Sequence, residues 1–317
     1  METTLKQQIA QGVRDFITTH GISQADVAKK SGVRKEYVNI IIKEESNFMY
    51  DAGGKTGLIP AKHFYALAEL VGISTKKEYW ELQPTDQLNT ILSNLQTAKQ
   101  NGSTNVIIGD TGAGKTYALD LFAKKHPQDV FTLKVGSSDN LGDLIDKIIE
   151  QLNISTGKTK SKKIRDIAKK LRELKALGFS PMIVFDESEY MKQPALCACK
   201  ELYDNIHEHC SLVLIGTDQL IDNIDRLRKR NKAGIPQFYR RIKFGIRQLP
   251  PIDRSFATFL TDINDRKLRT FLQRNCENYG ELHDALVPAL READETKQPL
   301  TENLVRTVLG IPDTMYV

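Results

Sequence analysis

Residues 105–116 have the sequence Asn-Val-Ile-Ile-Gly-Asp-Thr-Gly-Ala-Gly-Lys-Thr, in which an apolar segment leads directly into the pattern G-x-x-x-x-G-K-T. The apolar segment is typical of a buried strand, and residues 116–125 after the motif predict a helix. Glycines let the backbone fold tightly around an anion, so that successive N–H groups point at a phosphate. The N-terminus of the following helix adds a favourable dipole. The stretch therefore predicts a strand, a phosphate-binding loop and a helix.

The chemistry expected of this loop is binding of a nucleoside triphosphate with Mg²⁺. We expect Lys115 to reach the β- and γ-phosphates and the Thr116 hydroxyl to ligate Mg²⁺. A plain glycine turn is the alternative, but the flanking strand and helix disfavour it. The residues expected to contact the nucleotide are Gly109, Asp110, Thr111, Gly112, Ala113, Gly114, Lys115, Thr116 and Tyr117.

A second apolar segment, residues 181–187, ends in the adjacent carboxylates Asp186 and Glu187. Such a segment is typical of a central strand in a parallel sheet, and ligands bind at the carboxyl ends of such strands. We expect Asp186 to hold Mg²⁺ and Glu187 to orient and deprotonate the attacking water. Alone, the Asp-Glu pair could equally cap a helix, but the phosphate-binding loop before it favours catalysis.

The segments around the two motifs indicate a particular class of nucleotide-binding fold. Residues 130–135 predict a strand, and residues 141–152 and 162–177 predict helices, so another strand separates the motif strands in sequence. With a glutamate beside the strand-end aspartate, this arrangement resembles AAA+ and RecA-like ATPases more than GTPases or nucleotide kinases. After Pro250-Pro251, a helical lid is predicted, with helices over residues 254–265, 267–279, 281–292 and 301–309.

Other residues match AAA+ positions by resemblance. Thr217 ends the predicted strand 211–217 and is similar to sensor 1, which hydrogen-bonds the γ-phosphate or the attacking water. Residues 237–242 resemble the arginine-finger segment, with Arg241 favoured over Arg240, although binding to DNA or an acidic surface is an equally open role. His283 stands where the sensor 2 motif has an arginine, and a neutral histidine cannot replace a permanent guanidinium. The candidate catalytic residues are Lys115, Glu187, Thr217, Arg240 and Arg241.

Residues 23–41 fit a helix-turn-helix. Ser23 is a plausible N-cap of the first helix, and Gly32 supplies the positive φ of the turn. The shared core is expected to contain Val27, Val33, Val38 and Ile41. The second helix is expected to present Arg34, Lys35, Tyr37 and Asn39 toward a DNA groove. A small helical bundle that binds protein is the alternative.

Two later stretches are strongly basic. Residues 158–175 contain nine basic and two acidic side chains, and residues 225–247 contain nine basic and one acidic. Such clusters are typical contacts to a phosphate backbone, with salt-dependent binding. A solvated helix face is the alternative, weaker for the second stretch because residues 226–232 show no acidic partner at helical spacing. The residues expected to contact DNA are Arg34, Lys35, Asn39, Lys160, Lys162, Lys163, Arg226, Arg228, Lys229, Arg230 and Lys232.

Composition sets broader limits. The chain has 317 residues with a formal net charge of +5, enough for two to three small domains with real cores. No apolar run approaches the length of a membrane span, so we expect a cytoplasmic protein without membrane contact. The cysteines lack C-x-x-C spacing and are expected to be reduced and packed in the core, although His207 and His209 lie near Cys210 and leave zinc as a remote alternative.

The predicted fold is an α/β P-loop AAA+ module, a parallel sheet with helices on both faces plus a helical lid, preceded by a small all-α helix-turn-helix domain. The predicted boundaries are residues 1–80 for the helix-turn-helix DNA-binding domain, 81–249 for the nucleotide-binding domain and 250–317 for the lid. This domain order resembles the transposition ATPases of the MuB type and is similar to the related TnsC and IstB proteins. The residues that carry the likeness are 98–116, 183–187, Gly216-Thr217, Arg240-Arg241 and 23–41.

The resemblance implies an ATP- and Mg²⁺-dependent protein that binds double-stranded DNA with little sequence preference. It also implies self-assembly into a helical filament, recruitment and stimulation of a DDE-type transposase, and release from DNA on ATP hydrolysis. Two other functions stay open on the sequence. One is a helicase loader or replication-initiation ATPase, and the other is a regulatory ATPase whose N-terminal domain binds protein.

Overall fold

The computed structural model of the protein describes residues 3–52, 54–73, 75, 77, 79–206 and 210–312. The chain divides into two compact units, residues 1–79 and residues 80–317. Each unit has its own hydrophobic interior. The predicted further boundary between the nucleotide-binding domain and the lid stays a prediction.

The first unit contains the predicted helix-turn-helix and an unexpected hairpin. The Ser23 side chain caps α2 by accepting a hydrogen bond from the Asp26 N–H, and Gly32 ends that helix with a φ of 69°. The antiparallel hairpin was not predicted, because its two strands are short and their apolar and polar residues do not alternate clearly. The first unit is therefore not all-α. The elements are α1 (Thr3–His20), α2 (Gln24–Ser31), α3 (Lys35–Lys43), β1 (Met49–Ala52), β2 (Lys55–Leu58) and α4 (Ala61–Val71).

The core of the first unit confirms the predicted helical spacing. All four expected residues are buried: Val27, Val33, Val38 and Ile41. The prediction for Tyr37 is wrong, because its ring packs against Tyr50 of the hairpin and His63 of α4, with centroid distances of 5.4 and 5.0 Å. The aromatic side chain therefore joins α3 to the hairpin and α4 and is not directed freely into a groove.

The second unit is built on a five-stranded sheet with the order β4-β5-β6-β3-β7, in which every pairing is parallel. Every residue of β5 and β6 is buried, as expected for central strands covered on both faces. The strand that carries the phosphate-binding loop lies between β6 and β7, so β6 separates it from β5. The strands are β3 (Thr104–Ile108), β4 (Val130–Lys134), β5 (Met182–Asp186), β6 (Ser211–Gly216) and β7 (Ile246–Gln248).

Helices cover both faces of this sheet, which confirms the predicted fold class. One face packs mainly against α5 and α6, and the other against α7 to α11. The apolar residues recur at helical spacing and leave the charged residues on the solvent side. The helices are α5 (Asp86–Asn101), α6 (Lys115–Lys125), α7 (Leu141–Gln151), α8 (Lys160–Ala176), α9 (Gln193–Ile206), α10 (Asp218–Lys229) and α11 (Ile235–Ile242).

The C-terminal helices form a separate cluster that contains the only tryptophan of the sequence. Trp80 stacks on Phe259 with a centroid distance of 4.7 Å. The helix predicted over residues 254–265 is reduced to four residues, because Asp253 accepts hydrogen bonds from Ser255 and Phe256 adopts a left-handed φ of 48°. The helices are α12 (Ala257–Leu260), α13 (Arg266–Asn275), α14 (Tyr279–Thr296) and α15 (Glu302–Leu309).

No helix among the described residues is long and apolar enough to cross a membrane. The thiols of Cys199, Cys210 and Cys276 are buried, and burial raises the pKa of Cys276 to about 11. His207 and His209 lie outside the described residues. Within the described ranges, no cluster of metal-ligating side chains surrounds a cysteine.

A buried ion pair connects α5 to the beginning of β4. The Lys99 ammonium lies 2.5 Å from Asp129 Oδ2, and the two side chains are only 9% and 10% exposed. The same carboxylate oxygen accepts a hydrogen bond from the Ser180 N–H. Removing one partner of a buried pair leaves a charge without compensation, which is costly.

We predict that Lys99→Met lowers the free energy of unfolding by about 3 kcal/mol. Lys169→Met is the matched control, because Lys169 forms an exposed pair with Glu173 at 3.9 Å. That control is expected to change stability by less than about 1 kcal/mol. Urea titration followed by tryptophan fluorescence measures both. Equal losses in the two variants would contradict the assignment of Lys99–Asp129 as a stabilising pair.

Candidate nucleotide-binding site

The phosphate-binding loop follows the buried end of β3 and leads into α6. The Gly109 N–H donates to the Gly216 carbonyl at 3.1 Å, which joins the start of the loop to the end of β6. Gly112 and Gly114 have φ values of 73° and 78°. These left-handed conformations are accessible to glycine at little cost and are unfavourable for other residues. The backbone geometry of the loop therefore favours glycine at positions 112 and 114.

Lys115 lies inside the curve of the loop. Its ammonium donates to the carbonyl oxygens of Gly109 and Asp110 at 2.8 and 2.7 Å. Burial lowers the pKa of Lys115, while the nearby carboxylates of Glu189 and Asp186 oppose that shift. The Lys115 side chain is thus held over the loop, where the dipole of α6 favours an anion.

The two predicted metal ligands are brought together. The Thr116 hydroxyl donates to Asp186 Oδ2 at 2.6 Å, and Asp186 is buried with 4% exposure. The other oxygen of this carboxylate accepts a hydrogen bond from the Glu187 N–H at 2.9 Å. A hydroxyl and a carboxylate are the hard oxygen ligands that Mg²⁺ prefers, so the donor set fits this ion. Their roles as ligands stay a prediction.

Glu187, the expected general base, is engaged by a residue that the sequence analysis did not identify. Its carboxylate lies 2.9 Å from Lys134 Nζ, and hydrogen bonding to Glu187 raises the pKa of Lys134. Lys134 ends β4 directly opposite Asp186 in the parallel register. The Lys134 side chain is 68% exposed, so this pair is weak and can open readily. The sequence signal for this contact is the lysine at the end of β4, the strand that pairs with β5.

Two further polar atoms face the same edge of the sheet. Thr217 Oγ1, at the predicted sensor 1 position, is buried and has no hydrogen-bond partner among the described residues. Glu189 Oε2 is likewise buried and without a partner in that part of the chain. Glu189 was not a candidate from the sequence, although the pattern Asp-Glu-Ser-Glu at residues 186–189 places it two residues after Glu187.

The two candidate finger arginines on α11 have different surroundings. Arg241 pairs with Asp204 at 2.6 Å and donates to the Gln237 carbonyl at 2.8 Å, and its side chain is only 16% exposed. Hydrogen bonds from Lys200 and Arg241 outweigh the effect of burial and hold the pKa of Asp204 below its usual range. Arg240 is exposed and has no hydrogen bond or ion pair to the described residues.

The C-terminal helices contact the phosphate-binding loop through the beginning of α14. A Cβ atom added to Gly112 would lie 2.1 Å from Asn278 Oδ1, the residue that caps α14. His283, at the expected sensor 2 position, instead hydrogen-bonds Asp284 at 2.9 Å and contacts the edge of Trp80. The C-terminal helices therefore approach the loop with the N-terminus of α14 and the amide of Asn278.

Most of the residues expected to contact DNA lie on the surface, and neighbouring side chains partly neutralise the charge of some of them. Lys163 pairs with Asp146, and Arg226 donates to Asn223. The statement that residues 226–232 lack an acidic partner is wrong for Arg228, which lies 3.2 Å from Asp225 and covers the Tyr239 ring. Asn39 is half-buried, and these side chains are exposed: Arg34, Lys35, Lys160, Lys162, Lys229, Arg230 and Lys232.

Comparison with known proteins agrees with the sheet and loop. Residues 98–224 match the family described as an AAA domain. The protein is similar to the ORC2 protein of Aeropyrum pernix in ADPNP–ADP complexes, with 17% identity, a TM-score of 0.52, and coverage of 76% of this chain and 72% of that chain. It is also similar to Cdc6p from Pyrobaculum aerophilum, with 14% identity, a TM-score of 0.55, and coverage of 76% and 71%. No curated protein matches the sequence.

These likenesses establish the class of fold as an AAA+ P-loop α/β module. The segment that matches the AAA domain contains the phosphate-binding loop, Asp186, Glu187 and Thr217. The match supports nucleotide binding and hydrolysis as the general activity of this module.

We predict that Lys115→Ala weakens binding of a fluorescent ATP analogue by a factor of roughly 100, because two charge-assisted hydrogen bonds to phosphate are lost. Lys124→Ala, at the exposed end of the same helix, is the control and should bind as the wild-type chain does. Fluorescence titration in the presence of Mg²⁺ gives both affinities. Retention of full affinity by Lys115→Ala would remove this loop as the phosphate site.

Proposed function

We propose that this protein is an ATP-dependent DNA-binding AAA+ ATPase that assembles on double-stranded DNA. In this proposal it selects the target and activates a DDE-type transposase, as the resemblance to MuB-type proteins implies. The observation that best supports ATPase activity is that Lys115, Thr116 and Asp186 lie together at one edge of the sheet. The helix-turn-helix and the basic surface support the DNA-binding part.

The hydrolytic step follows from the residues at this edge. Lys115 leaves the loop carbonyls and binds the β- and γ-phosphates, while the loop N–H groups hold the β-phosphate. The oxygen of the attacking water forms a bond to the γ-phosphorus as the bond to the bridging oxygen breaks, and that electron pair leaves with ADP. Glu187 accepts the water proton and passes it to the phosphate product, and Thr217 hydrogen-bonds the γ-phosphate. Thr116 and Asp186 would hold Mg²⁺, which would supply neutralisation of the phosphate charge.

Lys134 is a candidate restraint on this step. Its ammonium holds the Glu187 carboxylate at 2.9 Å, so Glu187 must exchange this partner for the attacking water. Because Lys134 is largely exposed, solvent weakens the pair and the exchange costs little. The resting position of Glu187 is therefore compatible with its proposed role as base.

Assembly supplies the finger arginine in this proposal. Arg240 is the better candidate than Arg241, because the guanidinium of Arg241 is already bound to Asp204 within its own chain. An exposed guanidinium on α11 can reach the γ-phosphate of a neighbouring subunit and stabilise the charge of the transition state. Arg241 is better suited to hold α11 against α9.

A helicase loader or replication-initiation ATPase is the second candidate function. It is favoured by the similarity in fold to the ORC2 protein and Cdc6p, which covers about three quarters of this chain. Both candidates share ATP hydrolysis and DNA binding, and they differ in the protein partner. Affinity capture with the intact protein separates them, since a transposase supports the first and a replicative helicase supports the second.

We predict that the combined change Arg228→Glu, Lys229→Glu and Arg230→Glu weakens DNA binding. Each lost phosphate contact lowers the slope of log affinity against log salt by about 0.9, so the slope should fall by up to roughly 2.7. The matched control reverses three exposed cations of α13, Arg266, Lys267 and Arg269. Fluorescence anisotropy with duplex DNA at several salt concentrations, with and without ATP, measures the slopes. An equal change in both variants would argue against a specific DNA-binding surface.

We also predict that Arg240→Ala abolishes most of the ATP hydrolysis measured in the presence of DNA while leaving nucleotide affinity unchanged. The expected loss is about 1000-fold, as for other arginine fingers. Arg241→Ala is expected to reduce stability more than catalysis, because it leaves Asp204 without its guanidinium partner.

Electron microscopy with DNA, ATP and Mg²⁺ should show regular assemblies of the wild-type chain. Isolated monomers under these conditions, or full activity of Arg240→Ala, would count against the assembly mechanism.

A further inference from the structure

Glu189 belongs to a short 3₁₀ turn, Ser188–Tyr190, that follows β5. The turn is fixed by its own hydrogen bonds, since the Ser188 hydroxyl donates to the Phe185 carbonyl at 2.9 Å and the Met191 N–H donates to the Ser188 carbonyl at 3.0 Å. Ser188 is fully buried. The turn therefore fixes the backbone at Glu189, and with it the direction in which the side chain leaves the backbone.

That direction is toward β6. A Cβ atom added to Gly216, the last residue of β6, would lie 2.7 Å from Glu189 Oε2. The carboxylate thus occupies the space beside Gly216, whose carbonyl accepts the hydrogen bond from the Gly109 N–H. Thr217, which follows Gly216, carries the other buried oxygen without a partner among the described residues.

The two glutamates that follow β5 differ in their surroundings. Glu189 Oε2 lies beside Gly216, at the end of β6. Glu187 is turned to Lys134, so the two glutamates after β5 address different partners.

Three other polar side chains of the candidate site already have partners. Thr116 and Asp186 bind each other, and Lys115 binds two loop carbonyls. A buried oxygen of an ionised carboxylate can only accept hydrogen bonds, and leaving it without a donor is costly. A ligand of Glu189 Oε2 must offer a hydrogen, whereas the Thr217 hydroxyl can either donate or accept, so a water molecule suits both groups.

We propose that Glu189 is a second catalytic carboxylate of the nucleotide site, whose Oε2 accepts a hydrogen bond from the attacking water beside Thr217. This inference rests on the proposed ATPase activity and deepens it. Glu189 orients the water, and Glu187 takes its proton. The two carboxylates act on the same water, so their contributions are coupled.

The first test compares Glu189→Gln, Glu189→Asp and Glu201→Gln with the wild-type chain. Glu201 is exposed on α9 and serves as the matched control. Affinity for a fluorescent ATP analogue and the rate of single-turnover hydrolysis are measured separately. Glu189→Gln should bind nucleotide normally and hydrolyse it about 10- to 100-fold more slowly, with Glu189→Asp in between and Glu201→Gln unchanged.

The outcomes separate the two proposals. Wild-type hydrolysis by Glu189→Gln, or loss of its nucleotide binding, overturns the role of Glu189 while the ATPase stands. Absence of nucleotide binding by the wild-type chain overturns the proposed function itself. In the double variant with Glu187→Gln, the combined loss should be smaller than the product of the single losses, and a full product contradicts a shared water.

A second test moves the Glu189 carboxylate without removing it. Gly216→Ala is compatible with the backbone at this position, and its new methyl group displaces the end of Glu189. It should slow hydrolysis about 10-fold. In a Glu189→Ala background there is no carboxylate to displace, so the same change should have no further effect. An equal effect of Gly216→Ala in both backgrounds would contradict the proposal.

Discussion

The position of β6 between β3 and β5 is the constraint on which the candidate site depends. Parallel pairing places the carboxyl ends of all three strands at one edge, and the hydrogen bond from Gly109 to Gly216 fixes the start of the loop there. The hydrogen bond from Thr116 to Asp186 then connects the helix after β3 to the end of β5, although β3 and β5 are not neighbours in the sheet. A loop, a strand-end aspartate and Thr217, which are far apart in sequence, thereby come together in one candidate site.

Much of this could be predicted because the signals are local. The glycine pattern, the two apolar strands and the cap of α2 each depend on a few consecutive residues, and the structure places them as expected. The missing parts depend on neighbours distant in sequence. The pairing of Lys134 with Glu187 requires the register of β4 on β5, and the pairing of Arg241 with Asp204 requires α11 to pack on α9. Tyr37 was misjudged because a hairpin covers it.

Negative and positive side chains of the second unit are concentrated in different regions. Carboxylates gather at the edge of the sheet, where the Lys115 cation and the dipole of α6 balance them. Cations gather at the end of α10 and along α8, where few carboxylates balance them. Arg228 is an exception, since Asp225 and Tyr239 restrain its guanidinium. In the proposed function, the basic surface attracts a polyanion by its field, and the edge of the sheet binds one nucleotide by its geometry.

The stacking of Trp80 on Phe259 has a practical consequence. Since the sequence contains a single indole, red-shifted emission of this chain originates from one place, beside His283 at 5.1 Å between ring centroids. His283 belongs to α14, so a change in the separation of α14 from Trp80 is expected to change the environment of the indole and hence its emission. Rearrangement of the C-terminal helices is thus observable by stopped-flow optics, without any added dye or label.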